Sequence, residues 1–135
     1  SDIPQLDALA AEADAELGQM EKFMSEVEKR LAACLAAEKI PPQDLVEAIA
    51  SAKVKAVELA ISLCWRLKQE VGSYALMTGA GFEQLDYLQC CKFAEGDSRI
   101  LMQKIARDRL QAFSKKQQGS PEEVAVCNLA SIALS

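Results

Sequence analysis

The sequence predicts an all-α protein, an up-down helical bundle of about four main helices plus a short one. Half of its residues are apolar but only 5% are aromatic, with Ala and Leu dominant, a composition that suits helix-on-helix packing. Apolar residues recur at three- and four-residue steps over long stretches, and no segment keeps the period of two that a half-buried strand needs. The breaks between periodic stretches carry proline, glycine or a capping sequence, as helix ends do. At 135 residues the chain is long enough for a single domain with its own core.

The first predicted helix covers residues 4–38. Leu6, Ala10, Ala13, Leu17, Met20, Met24, Val27, Leu31 and Cys34 form an a/d seam over four heptads. Acidic residues gather early (Asp2, Asp7, Glu12, Asp14, Glu16) and basic ones late (Lys29, Arg30, Lys39), as the helix dipole prefers. Gly18 costs about 1 kcal/mol against alanine, too little to break so regular a rod. One apolar seam and a polar back make this an outer helix. Ile40-Pro41-Pro42 separates it from the next, because proline expels its predecessor from the α region and fits a first helical turn.

The second helix is expected over residues 42–77. Val46, Ile49, Ala50, Val57, Ala60, Ile61, Cys64, Leu67, Val71 and Tyr74 line one face, and Val54, Leu59, Leu63 and Trp65 extend apolarity around the rod. A helix apolar nearly all round is a central one. Gly72 within it marks a kink or a close crossing, and the glycines of Thr78-Gly79-Ala80-Gly81-Phe82 stop it. Residues 83–92 form a short helix with Leu85, Leu88 and Cys91 or Cys90 inward. A third long helix spans residues 97–116, with Asp97 as its N-cap; Met102, Ala106, Leu110 and Phe113 face inward, Leu101 and Ile105 widen that face, and Asp108 points out. Ser120-Pro121-Glu122-Glu123 then has the sequence of a capped start for a last helix over residues 121–134.

Composition removes several functions. The net charge of −5, spread along the chain, does not suit a nucleic-acid surface or a basic membrane-binding face. No apolar run approaches the roughly 20 residues that span a bilayer. The chain has no histidine, which removes the commonest general base and most zinc sites, and no metal is expected. Cys34, Cys64, Cys90, Cys91 and Cys127 are odd in number and form no C-x-x-C pair. They read as reduced core residues of an intracellular protein in a reducing compartment. The sequence opens on Ser, as an excised domain would.

The chemistry concentrates in the stretch from Thr78 to Ser98. A glutamate followed by glycine, Glu95-Gly96, stands uncrowded at a corner just before the Asp97 cap, a mount that suits a base and equally an ordinary loop. Gly79-Ala80-Gly81 follows a helix rather than a strand, so it is no dinucleotide-binding fingerprint, and by itself it reads as a helix cap.

The order of motifs from Val46 to Phe113 resembles the C-terminal helical domain of the acyl-CoA dehydrogenase and acyl-CoA oxidase family. Ser51-Ala52-Lys53 corresponds to the alanine-lysine pair early in that domain's long helix, and Thr78-Gly79-Ala80-Gly81-Phe82 to its glycine turn. Ala94-Glu95-Gly96-Asp97-Ser98 corresponds to its Glu-Gly-Asp motif, and Ile100-Leu101-Met102-Gln103-Lys104-Ile105-Ala106-Arg107 to the helix after it. The first glycine of the family turn is Thr78 here, and the glutamine usual before it is Ala75.

The resemblance implies that Glu95 is the base that removes the α-proton of an acyl-CoA thioester while FAD accepts the β-hydride. A polarised thioester acidifies that proton, and desolvation raises the basicity of a carboxylate. It implies that Asp97 and Gly96 lie against the flavin cofactor, and that Gly79 and Gly81 let backbone approach it across the interface of a homo-oligomer. It further implies that the chain is the C-terminal domain of a larger flavoenzyme, inactive without the parts that hold most of the FAD and substrate contacts. Two alternatives stand beside this reading. One is a non-catalytic helical interaction module that self-associates through the Leu6-to-Cys34 seam. The other is a relative that keeps the fold but has lost flavin, the reading that Thr78 and Ala75 support.

Overall fold

The computed structural model describes residues 3–116, 121–122 and 124–125. It is an all-α bundle: α1 (Pro4–Ala36), α2 (Gln43–Val71), a short α3 (Leu85–Cys90) and α4 (Ser98–Lys116). Two 3₁₀ turns, Gly72–Leu76 and Phe82–Gln84, lie between α2 and α3. No strand occurs among the described residues. The predicted last helix, residues 121–134, lies mostly outside them. No helix of the described residues is long and apolar enough to cross a membrane.

The second helix is central, as its all-round apolarity predicts: α1, α3 and α4 each pack on α2. Leu9, Ala13 and Val27 of α1 are buried, as are Leu45, Ala52, Val54 and Leu63 of α2 and Leu85 of α3. Polar clasps fix the register at the rims. Arg66 grips Glu12 with two bonds of 2.6 and 2.7 Å and Arg30 meets Asp44, tying α1 to α2. Arg109 meets Glu47 and Gln43 donates to Asp108 at 2.9 Å, tying α4 to α2.

Several expectations need correction. The α-helix of α2 ends at Val71, not near residue 77, because Gly72 takes φ 60°, ψ −133° and breaks it. Gly72 marks no close crossing, since a Cβ there would meet nothing within 4 Å. The α1 seam is used unevenly. Leu6, Ala13, Met20, Val27 and Cys34 on one line and Leu31 on the other are buried or half-buried, whereas Ala10, Leu17 and Met24 are exposed. A single partner, α2, covers one line of the heptad and leaves most of the other bare. On α4, Leu101, Ile105 and Asp108 turn inward while Met102 and Ala106 are exposed. Asp108 sits inward because Gln43 and Lys104 both bond its carboxylate. The four described cysteines are free, but Cys90 is exposed and Cys34, Cys64 and Cys91 are only half-buried. Cys127 lies outside the described residues.

Candidate functional site

The corner before α4 is built from its capping residue outward. Asp97 Oδ1 accepts the backbone N–H of Arg99 at 2.8 Å and that of Ile100 at 3.4 Å, and its carbonyl accepts Leu101 N–H at 2.9 Å. That is the N-cap the sequence predicts. Gly96 precedes it at φ 109°, a conformation that residues with a side chain rarely adopt, and a Cβ there would meet Leu101 at 3.4 Å. Glu95 stands before Gly96 at φ 55°, left-handed despite its side chain. It is exposed, and its carboxylate has no hydrogen bond or ion pair among the described residues.

Residues far away in sequence hold this corner. Lys53, half-buried on α2, donates from Nζ to Lys92 O at 3.1 Å, Gly96 O at 2.7 Å and Ser98 Oγ at 3.3 Å. Ser98 N–H returns to Lys92 O at 2.8 Å, closing the loop on itself. Ser98 is only 6% exposed and is the one buried polar residue among those described; its hydroxyl finds the partner that burial demands in Lys53. Glu58 adds a second hold from α2, pairing with Lys92 Nζ at 3.1 Å.

The glycine turn lies at the other end of α3. Gly79 and Gly81 adopt φ 81° and 90°, and a Cβ on either would meet nothing within 4 Å, so backbone conformation rather than crowding requires glycine. Gly79 N–H donates to Glu83 Oε1 at 3.0 Å. The backbone amides of Glu83 itself, Gly79 and Gly81 hold the Glu83 carboxyl below the usual carboxylate range. A groove of about 290 Å³ beside the turn is lined by Lys68, Thr78, Phe82, Glu83 and Asp86 among others. Lys68 is fifteen residues beyond Lys53 on α2, an axial offset of about 22 Å at 1.5 Å per residue.

Of the predicted site residues, Glu95, Gly96 and Asp97 therefore share one corner, and Gly79 and Gly81 stand apart from it. Within one copy of the chain the two groups do not converge. As a support for a cofactor, the turn leaves open space outside Gly81, while the Gly79 amide is already committed to Glu83. Among the described residues no cluster of three or more Cys, Asp or Glu side chains is placed to hold a metal ion. Sequence reasoning missed Glu83, and met Lys53 and Ser98 only as parts of motifs. An acidic residue four positions after a glycine was the available signal for Glu83. No protein family, curated protein or solved structure matches the chain.

Proposed function

We propose that the chain is the C-terminal helical domain of an acyl-CoA dehydrogenase- or oxidase-like flavoprotein, and that Glu95 is the base of an α,β-dehydrogenation. The observation that supports this reading is the Glu95 corner: an exposed carboxylate with no partner among the described residues, on a left-handed residue whose flanks are bonded to a long helix. Strained backbone of this kind persists where the surroundings over-determine it, and it collects at working sites. Glu95 takes the α-proton of the thioester, and the electrons of that C–H bond become the α,β double bond as hydride leaves the β-carbon. FAD, when bound, supplies the acceptor for that hydride. Gly96 removes any side chain between the base and its substrate, and the carboxylate of Asp97, fixed by its capping bonds, lies one residue further on, where the resemblance sets the flavin. Gly79 and Gly81 would serve a cofactor on a neighbouring subunit, since they lie away from the Glu95 corner of their own.

The test is flavin reduction by a saturated acyl-CoA in the full-length protein. Glu95→Gln, which keeps the shape and removes the basicity, is expected to abolish it; unchanged reduction refutes the assignment. A self-associating module is the second reading, and the bare stripe of Leu17 and Met24, 48% and 45% exposed, favours it. Leu17→Glu with Met24→Glu separates the two: loss of self-association with flavin reduction intact assigns the stripe to assembly alone.

A further inference from the structure

We propose that Lys53 is a positioning residue that aims the Glu95 carboxylate by bonding the backbone on both sides of it. The catalytic part of this inference rests on the reading of Glu95 as a base; the mechanical part rests on geometry. An ammonium has three protons to donate, and Lys53 Nζ has three acceptors: Lys92 O, Gly96 O and Ser98 Oγ. Lys92 lies before Glu95, and Gly96 and Ser98 after it, so one group secures both entry to and exit from the corner.

The corner needs such a hold. Glu95 and Gly96 are consecutive residues at positive φ, and neither is fixed by a helical bond. The Asp97 cap secures the first turn of α4 and leaves Glu95 untouched. A clamp rooted in a packed helix gives the carboxylate a fixed reference that a surface loop lacks. None of the three partners is a carboxylate, so Lys53 acts on Glu95 through the main chain and not as its counter-ion. Arginine could keep the charge, but its planar fork cannot present three diverging donors to these oxygens.

The experiment compares Lys53→Met, Lys53→Arg and Ser98→Ala in full-length, flavin-loaded protein. Amide exchange at Ser98 is expected to rise about tenfold or more in Lys53→Met, with α1 and the middle of α2 still protected. The rate constant for acyl-CoA-driven flavin reduction is expected to fall about 10- to 100-fold, with acyl-CoA affinity within about twofold, because misaim weakens the reacting geometry more than binding. Lys53→Arg is expected to behave like Lys53→Met, and Ser98→Ala to move both readouts the same way by less. Unchanged exchange at Ser98 overturns the clamp, as does loss of protection along all of α2. Full activity in the arginine variant overturns the geometric argument. The exchange measurement involves no substrate. A Glu95→Gln protein that reduced flavin normally would therefore remove the base while leaving the clamp to stand or fall on exchange alone.

Discussion

Glu38 and Glu95 both take the left-handed backbone conformation, at φ 52° and 55°, and the chain holds them by different means. Glu38 ends α1 in a Schellman turn: Lys39 N–H reaches Cys34 O at 2.9 Å and Glu38 N–H reaches Leu35 O at 3.0 Å. Each bond closes within six residues, and Pro41 and Pro42 come soon after, as prolines commonly do past such an end. The Glu95 corner is held instead by Lys53, whose partners lie 39 to 45 residues away in sequence. The first arrangement is local and reverses the chain between α1 and α2. In the second, a distant helix fixes the backbone under a carboxylate that has no partner among the described residues. Left-handed φ is therefore no sign of function by itself; the means of holding it separates the two corners.

Substitutions can sharpen or break that contrast. The largest stability loss is expected for Gly96→Ala, about 2 kcal/mol by urea unfolding, since an alanine is strained at this φ and its methyl crowds Leu101. Asp97→Ala removes the cap of α4 and should cost about 1 kcal/mol in the same assay. Glu38→Gly and Glu95→Gly should each stabilise the fold by about 0.5 kcal/mol, relief of the left-handed strain exceeding the entropy glycine loses. If Glu95 is the base, only the second should cost activity. A gain at Glu38 with a loss of stability at Glu95 would mean that the Glu95 side chain has a structural partner, and the contrast would fail. The smallest effect belongs to Glu12, whose carboxyl Arg66 holds below its usual range through a side-chain hydrogen bond. Its folded-state pKa is depressed, so its contribution is present above the unfolded pKa of about 4.3 and fades as pH falls through the folded value. The stability difference between the parent and Glu12→Gln should accordingly shrink on acid titration.

Legibility in the sequence tracks the range of the interactions. Asp97 as a cap was readable because a cap involves a residue and its next three neighbours. The central place of α2 was readable from apolarity all round the rod. The end of α2 was not: a lone Gly72 resembles a tolerated helix glycine, and the glycine pair at 79 and 81 looks like the stronger stop. The inward face of α4 was right at Leu101, Ile105, Leu110 and Phe113 and wrong at Met102, Ala106 and Asp108; Asp108 is drawn in by Gln43 and Lys104, and hydrophobic periodicity is blind to such bonds. The Lys53 clamp was beyond any local pattern. Its acceptors are mostly backbone carbonyls, which carry no residue-type signal, and folding alone brings them to α2.

Rapid mixing of full-length, flavin-loaded protein with a saturated acyl-CoA tests the central claim most directly. If Glu95 is the base, Glu95→Gln slows flavin bleaching by about 10²- to 10⁴-fold, the range of a lost general base, while the acyl-CoA still binds. Bleaching at the parent rate in that variant would contradict the account.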